Sequence, residues 1–331
     1  MEKIDFVITW VDGSDEKWIA KKREYERHQA ETEQAGDVRY REWGLLPYLF
    51  RGIERYAPWV NHVFLVTDGQ IPEWLNTDHP KVSVVYHDRF IPHEYLPTFN
   101  SHTIELNLHR IPGLSEQFVY FNDDCFLTGK CRPEDFFKNG KPVDEAALNG
   151  INGTDHEFAE IQFHNMALMN SHYSVKDCKK NLREWLKPSY GRNLFRTLLL
   201  LPFQRLQGIY NPHGPMSILK QTCVKLWERD GAVLDATCRC RFRKGENVSA
   251  YIYRYEQLLS GQFAAHKSFN KYCSVTEAAE EIEKNIRKYK MVCINDAELS
   301  EERFLQKREE IQEVMEKAFP LRSAFEKEEP A

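Results

Sequence analysis

The stretch FVYFNDDCF, residues 118–126, places Asp123 and Asp124 directly behind a run of strand-forming residues. Apolar residues resume at once with Cys125 and Phe126. Asp and Asn often begin turns after strands, so a plain turn is the alternative interpretation. Because a plain turn rarely returns straight to apolar residues, the pattern favours a divalent-cation site at this point.

Three further runs, rich in β-branched and aromatic residues, have the composition of strands: residues 4–11, 62–67 and 82–87. Helical patterns lie between them. In residues 41–56, apolar side chains recur three or four positions apart, and Pro58 follows. Strands that alternate with helices predict an α/β fold, in which a mostly parallel sheet is covered by helices on both faces.

An acidic residue follows each predicted strand. The residues concerned are Asp12, Asp68, Asp88, the pair Asp123 and Asp124, and, after a fifth candidate strand at 291–296, Asp296. Ligands of open α/β sheets bind outside the carboxyl ends of the strands, where these acids would gather. Any one of them taken alone can be a turn residue, and Asp68 has the sequence context of one.

The composition excludes several classes of protein. The net charge of −5 over 331 residues argues against nucleic-acid binding, which needs a basic surface. No run approaches the roughly 18 apolar residues of a membrane span, and no leader pattern is present, so we expect a cytoplasmic protein. The eight cysteines form no C-x-x-C pair and are expected to be buried thiols.

The order of patterns suggests one catalytic domain over residues 1–331, with its core in 1–150 and 211–300. Residues 15–36 are almost wholly polar, which indicates a solvated helix or a mobile arm. A helical insertion is expected at roughly 170–210, where RNLFRTLLLLPFQRL (192–206) either packs on the core or contacts a membrane peripherally. A closing helix is expected over 300–319.

Residues 98–111, TFNSHTIELNLHRI, have the pattern of a helix with His102, Glu105 and His109 along one side. This row is a possible metal-ligand face. The spacing lacks the H-E-x-x-H form, and Glu105 with His109 is equally explained as an intrahelical pair.

His213 lies between Pro212 and Gly214-Pro215 in the stretch YNPHGPM (210–216). A stiff turn would fix the imidazole for general-base catalysis, and a water-exposed turn histidine is the alternative.

In TCRCRFRKGEN (237–247) arginines alternate at positions 239, 241 and 243. In an extended strand they would share one face and attract phosphate, because guanidinium groups donate in pairs to phosphate oxygens. A surface strip of ion pairs is the alternative. The sequence contains no Walker P-loop and no G-x-G-x-x-G motif, which argues against a P-loop kinase or a dinucleotide enzyme.

Five stretches together resemble the four sequence blocks of the Stealth proteins. In chain order they are IDFVITWVDGSD (4–15), RYREWGLLPYLFRGIERYAPWVNHVFLVTDGQIPEWL (39–75), LPTFNSHTIELNLHRIPGLSEQFVYFNDD (96–124), NPHGP (211–215) and KMVCINDAE (290–298). This family includes bacterial capsular polysaccharide phosphotransferases and the animal lysosomal-enzyme N-acetylglucosamine-1-phosphotransferase.

The resemblance implies a Rossmann-like nucleotide-sugar-binding core, Mg²⁺ or Mn²⁺ as cofactor, and a role in capsular or cell-surface polysaccharide biosynthesis. The implied reaction moves hexose-1-phosphate from a UDP-sugar to a hydroxyl of an acceptor glycan, releasing UMP. It implies metal ligation by Asp123, Asp124 and Asp296, catalytic roles for Asp123, His213 and Arg243, and substrate contacts by Asp12, Gly13, Asp15 and Glu105. Arg241, from the row of alternating arginines, is a further predicted substrate contact.

The charges of such a reaction explain these residue types. A cation and an arginine would neutralise the phosphate oxygens and the departing UMP. Either His213 or an aspartate of the pair could take the proton of the acceptor hydroxyl.

The same residues also fit two rival interpretations. A metal-dependent glycosyltransferase would use the same donor and release UDP, and a non-catalytic glycan-binding protein would use the acids for a structural Ca²⁺. The expected partners are a UDP-sugar and a glycan, and no nucleic acid. Peripheral association with the inner membrane face or with a capsule assembly complex is a further expectation.

Overall fold

The computed structural model describes residues 2–28, 40–153 and 156–328. The strands in this part of the chain are β1 (Ile4–Thr9), β2 (His62–Thr67), β3 (Val82–Tyr86), β4 (Gln117–Asn122), β5 (Cys125–Leu127), β6 (Phe137–Lys138), β7 (Lys141–Asp144), β8 (Met216–Leu219), β9 (Ala264–Ala265), β10 (Asn270–Ser274) and β11 (Met291–Asn295). The helices are α1 (Glu16–His28), α2 (Leu46–Tyr56), α3 (Ser101–Asn107), α4 (His156–His172), α5 (Val175–Lys180), α6 (Leu182–Trp185), α7 (Arg192–Leu200), α8 (Lys220–Cys238), α9 (Tyr251–Leu259), α10 (Ala279–Lys288) and α11 (Glu301–Ala318).

The central sheet has the strand order β3-β2-β1-β4-β8. Its first four strands are parallel, with Val7 of β1 opposite Phe64 of β2 and Tyr120 of β4, and β8 pairs antiparallel with β4. Near-continuous apolar runs are typical of parallel strands that are buried on both faces. The predicted mostly parallel α/β fold is therefore confirmed.

Both faces of the sheet are covered, because alternate side chains of each strand enter different cores. Phe6 and Ile8 join a core that includes buried residues of α2, α10 and α11. Val7 joins the core on the opposite face, which includes buried residues of α4, α8 and α9. The helices on both faces confirm that part of the prediction as well.

The predicted fifth strand, 291–296, forms but lies outside the central sheet. It is β11, and it pairs parallel with β10 and antiparallel with β5 in a second sheet. The assumption that all the acid-terminated strands share one sheet is therefore wrong for Asp296. Strand periodicity is a local signal and does not specify the partner strand.

The predicted arginine strand at 237–247 is also wrong. Helix α8 continues through Cys238, and Arg239 lies at its C-terminus in a helical conformation. Thr237 and Cys238 are buried by this packing. Tertiary packing of these small side chains overrides the alternating pattern that suggested an extended segment.

Other predicted helices form with shifted ends. The helix predicted over 98–111 is the shorter α3, whose N-terminus is capped by the Asn100 side chain, and residues 108–110 continue as a 3₁₀ turn. The closing helix is α11, capped by Ser300.

In the predicted polar arm, α1 forms and buries Trp18 against Tyr40 and Phe99, so the segment is not wholly solvated. Residues 29–36 of that prediction lie outside the described residues. Helices α4 to α7 occupy residues 156–200, and the division of the chain into core and insertion stays a prediction. Among the residues described here, no helix has the length and hydrophobicity to cross a membrane.

Candidate active site

Asp123 and Asp124 form the tight turn between β4 and β5, where the chain passes from the central sheet to the second sheet. The apolar residues after the pair are the buried strand β5, which pairs with β11. The two adjacent carboxylates therefore lie at the carboxyl edge of the central sheet, and buried strands precede and follow them. This position explains why the acids interrupt an otherwise apolar run.

Asp124 lies in a group with His213 and Cys293. One ligand atom from each of the three lies within 4.8 Å of the others. The Cys293 thiol donates to Asp124 Oδ2 at 3.1 Å, and the Cys125 thiol donates to Oδ1 at 3.2 Å. Three stretches that are far apart in the sequence thus meet at one carboxylate.

His213 is held in this group by a strained turn and by its neighbours. Its φ of 47° lies in the left-handed region, and Asn270 donates to its carbonyl oxygen. Its Nε2 donates to Asn295 Oδ1 at 3.1 Å, while the Asn295 amide nitrogen donates to the Asp296 carbonyl at 2.9 Å. This arrangement places the ring proton on Nε2 and leaves the lone pair on Nδ1.

Asp296 follows β11 and is half-buried beside the same group. Trp43 Nε1 donates to its Oδ2 at 3.0 Å, and the Ala297 amide donates to its Oδ1 at 2.6 Å. Burial raises the pKa of Asp296, and the charge of Asp124 adds to the effect. Although β11 belongs to the second sheet, its end still brings this acid toward Asp124.

The electrostatics show an excess of negative charge at this edge. Burial, together with the charges of Asp124 and Glu42, raises the pKa of Asp123 to about 8. Burial also raises the pKa of Glu42, with a further contribution from Asp12. Carboxylates crowded in this way favour either proton uptake or a bound cation.

The sequence-based reasoning missed Glu42 and Cys293. Glu42 accepts from Trp10 Nε1 at 2.7 Å and from the Gly44 amide at 2.6 Å, and the described residues directly before it, 40–41, are not part of a strand. The rule that acids follow strands therefore could not find it. Cys293 is two positions before Asn295, so strand alternation places both on the side of β11 that faces Asp124 and His213.

A second group surrounds the N-terminal part of α3. Arg243 Nη2 donates to Ser101 Oγ at 2.5 Å, and His102 Nδ1 lies 3.4 Å from Glu105 Oε2. Burial opposes ionisation of Glu105, but His102 and Arg243 keep its pKa below the usual value. Within the described residues, no hydrogen bond or ion pair joins Arg243 to Asp124 or His213.

Tyr120 of β4 lies within electrostatic reach of both groups. Burial raises its pKa well above the usual value, and the charges of Glu105 and Asp123 add to this effect. Its hydroxyl donates to Asn122 Oδ1 at 2.5 Å. The arginine group and the carboxylate group are therefore separate but neighbouring.

A third group forms the turn after β1. Gln70 Nε2 donates to the Asp12 carbonyl at 2.9 Å and to Asp15 Oδ2 at 3.1 Å, and Asp15 Oδ1 accepts from the Lys17 amide at 2.9 Å. The hydrogen bond from Gln70 lowers the pKa of Asp15. Gly13 is required here, because a Cβ at this position would come within 1.8 Å of the Tyr40 carbonyl oxygen.

The other predicted site residues take different positions. The predicted metal-ligand row of His102, Glu105 and His109 does not converge on one point. His102 and Glu105 interact as a pair, whereas His109 packs against Trp227, and burial lowers the pKa of His109 to about 3.

The predicted arginine face is not formed either. Arg239 pairs with Asp235, and Arg241 donates to the Pro97 carbonyl at 2.9 Å. The three arginines of 237–247 therefore do not share one face.

A cleft of about 510 Å³ opens at the carboxyl ends of β2 and β3, along the same edge of the sheet as Asp123. Asp68 accepts from Lys21 Nζ at 2.8 Å in this cleft and lies 3.8 Å from His87 Nδ1. Burial lowers the pKa of His87 to about 4. Tyr25 and Tyr86 contribute aromatic side chains to the lining.

Fold and site thus define an α/β protein with a carboxylate-rich candidate active site at the carboxyl edge of its parallel sheet. Two family models match the chain: Stealth protein conserved region 1 over residues 2–30 and conserved region 2 over residues 39–144.

Similar proteins cover nearly the whole chain. A capsular polysaccharide phosphotransferase of Streptococcus pneumoniae is 36% identical over 99% of both chains. An exopolysaccharide phosphotransferase of Lactiplantibacillus plantarum is 38% identical over 98% of this chain and 96% of its own length. A receptor polysaccharide phosphotransferase of Streptococcus gordonii is 39% identical over 89% of this chain and 91% of its own length.

The chain therefore belongs to the Stealth family, and the resemblance noted in the sequence is confirmed. Among solved structures, a galactosyltransferase in complex with donor and acceptor sugar analogues aligns over 95% of both chains. Its identity is 10% and its TM-score is 0.43. That similarity is too distant to assign a function.

Proposed function

We propose that this protein transfers hexose-1-phosphate from a UDP-sugar to a hydroxyl of a glycan acceptor, forming a phosphodiester and releasing UMP. The reaction would serve capsular or cell-surface polysaccharide biosynthesis. The observation that carries the proposal is that Asp124, His213 and the neighbouring Asp296 come together at the carboxyl edge of the sheet in a member of the Stealth family.

Three carboxylates are proposed to hold the cation that the family resemblance implies; among the described residues, only Asp124 of them lies in a close group of ligand atoms. Asp123, Asp124 and Asp296 supply hard oxygen ligands, which suit Mg²⁺ or Mn²⁺. The raised pKa of Asp123, caused by burial and by its acidic neighbours, is the sign of negative charge that a cation would relieve. When bound, the cation would supply charge stabilisation to the phosphate oxygens.

The proposed reaction is an in-line displacement at the β-phosphorus of the donor. The acceptor oxygen forms a bond to that phosphorus, and the bond to the oxygen bridging the two phosphates breaks, so UMP leaves with that oxygen. His213 takes the acceptor proton, since its Nδ1 keeps a lone pair. Asp123 is the alternative base.

Arg243 is proposed to bind a donor phosphate, with Glu105 as its charged neighbour. The turn containing Asp12, Gly13 and Asp15 is proposed to contact the nucleotide-sugar, and the neighbouring cleft with Tyr25 and Tyr86 has room for its nucleoside.

We further propose that the protein is cytoplasmic and meets its acceptor at the inner membrane face. Helix α7 supports this part of the proposal. Phe195 is 68% exposed and Leu199 is 74% exposed, with the exposed Arg192 and Arg196 on the same helix. Exposed apolar residues next to cations suit an anionic lipid surface.

The test is the nucleotide released from a panel of UDP-sugars with an acceptor glycan, separated by chromatography. UMP that depends on acceptor and on Mg²⁺ or Mn²⁺ is the expected product, and Asp124→Asn should abolish it. UDP as the product would establish a glycosyltransferase instead. Glycan binding that survives Asp124→Asn, without turnover of any donor, would establish a binding protein.

A further inference from the structure

We propose that Asp124, His213 and Cys293 form a binding site for a thiolate-accepting divalent ion such as Zn²⁺. Each residue supplies a different donor: a carboxylate oxygen, an imidazole nitrogen and a sulfur. Catalytic zinc sites typically have three protein ligands and a water molecule, and all three donor types occur among them.

The distances suit such an ion. Bond lengths of about 2.0 Å to oxygen and about 2.3 Å to sulfur place two tetrahedral ligands about 3.5 Å apart. Cys293 Sγ and Asp124 Oδ2 are 3.1 Å apart, and all three ligand atoms lie within 4.8 Å of one another. Ligand atoms that are up to 4.8 Å apart therefore need to approach by at most about 1.3 Å to reach this geometry.

Neighbouring residues hold two of the ligands in place. The Cys125 thiol donates to Asp124 Oδ1, which leaves Oδ2 toward Cys293. Asn295 accepts from the ring of His213 and so orients it. Such outer hydrogen bonds commonly tune metal ligands. Binding replaces the thiol proton of Cys293, which is released to solvent.

The donor set separates this site from the carboxylate set of Asp123, Asp124 and Asp296. Sulfur and imidazole favour Zn²⁺ or Co²⁺, whereas carboxylates favour Mg²⁺ or Mn²⁺. Asp124 belongs to both sets, so a bound Zn²⁺ competes with the hard cation. This competition rests on the proposed function, but the binding of Zn²⁺ does not.

The experiment is titration of the purified full chain with Co²⁺ alone, followed by absorption spectroscopy and by competition with Zn²⁺. A cobalt–thiolate site gives an intense near-ultraviolet charge-transfer band. We expect this band in the native chain, its loss in Cys293→Ser, and a Zn²⁺ dissociation constant at least about tenfold higher in Cys293→Ser and His213→Asn.

The matched control is Cys273→Ser. Cys273 is a buried thiol of β10, opposite Ile294, and it contacts Asn285 rather than Asp124. This variant should keep the band and the Zn²⁺ affinity. His213→Asn decides the question if Cys293→Ser does not fold, because Asn readily adopts the left-handed backbone of this turn.

Two results would overturn the site: Co²⁺ binding without a charge-transfer band, or Zn²⁺ affinity that is unchanged in both variants. Failure of sugar-phosphate transfer would leave this binding experiment unaffected. The two proposals therefore fail separately.

Discussion

Asp123 illustrates the chemistry of this protein at the scale of a residue. Its carboxyl group shares the turn between β4 and β5 with Asp124, and Glu42 adds a third negative charge. Burial and these neighbours raise its pKa to about 8, so without a cation the group retains its proton near neutral pH. A divalent ion would remove that proton, which couples metal binding to pH.

The stability of the cation-free protein should therefore decrease with pH. Asp123 has a folded-state pKa of about 8 against a usual value of 3.8, so the folded state binds the extra proton between these values. The stabilisation of the folded state by this bound proton is fully present below pH 3.8 and is lost as pH rises through about 8. When the Tm is measured with a chelator present across this pH range, the plot of Tm against pH should be flatter for Asp123→Asn than for the native protein.

The exposed Asp78 provides the control for this measurement. For Asp78→Asn, the Tm should change with pH as steeply as it does in the native protein. If the Asp123→Asn profile were as steep as the native one, the unusual titration of Asp123 would be disproved.

His213 is the second residue whose role can be tested directly. His213→Asn should lower kcat for UMP release by about 10²–10⁴-fold, because general-base catalysis contributes on that order. His156→Asn, an exposed change at the start of α4, is the control, and an equal loss in both variants would exclude His213 as the base.

At the scale of elements, the N-terminus of α3 and the segment after α8 meet. The Phe99 amide donates to the Arg241 carbonyl at 2.8 Å, and Phe99 stacks on Phe242 with ring centroids 5.2 Å apart. These contacts place Arg243 next to Ser101. The position of this guanidinium is therefore set by packing between two elements rather than by a strand.

Arg243→Lys should lower kcat/KM for the UDP-sugar by about 10–100-fold, because hydrogen bonds to charged groups contribute about 1.5–3 kcal/mol and lysine lacks the planar fork. Arg239→Lys changes an exposed arginine that pairs with Asp235, so its kcat/KM should stay near the native value. Equal kinetics in both variants would argue against phosphate binding by Arg243.

Helix α7 allows a test of the membrane proposal. Phe195→Ser with Leu199→Ser should weaken binding to anionic phosphatidylglycerol vesicles at least about tenfold, since each buried apolar side chain contributes about 1.5–3 kcal/mol. Cosedimentation measures the bound fraction. Leu321 is 81% exposed elsewhere on the surface, and Leu321→Ser should bind like the native protein. Native protein that remained in the supernatant would contradict the proposal.

At the scale of the whole molecule, the candidate site joins two sheets. Asp124 lies where the central sheet leads into β5, and Asp296 follows β11 of the second sheet. The Ile294 amide of β11 donates to the Asp124 carbonyl at 2.9 Å, and this hydrogen bond connects β11 to the turn that contains Asp124. A cation held by carboxylates from both places would stabilise the folded arrangement of the sheets.

Saturating Mg²⁺ or Mn²⁺ should therefore raise the Tm by a few degrees, and chelation should reverse the shift. Binding at about 100 times Kd stabilises a folded protein by about 2.7 kcal/mol. Scanning calorimetry should show a smaller shift for Asp296→Asn and a native shift for Asp78→Asn. If the metal ion raised the Tm of Asp296→Asn as much as that of the native protein, Asp296 would not be a metal ligand.

The sequence by itself determined the four parallel strands of the central sheet, but not the antiparallel β8, and it predicted the carboxylate pair of the candidate site. Each parallel strand carries its own apolar run, such as residues 62–67, because a strand buried on both faces must be apolar along its length. The pair Asp123 and Asp124 was equally visible, since carboxylates between two apolar runs contradict the local pattern. These signals are local, so they can be found in one sequence.

Only the tertiary structure decided which distant residues meet. Strand β11 has the same local pattern as the central strands, yet it pairs with β5 and brings Cys293 to Asp124. Glu42 has no local signal at all, and Arg243 owes its place to the packing of Phe99 on Phe242. Periodicity encodes the conformation of a segment, whereas the choice of its partners depends on how all the buried surfaces fit together.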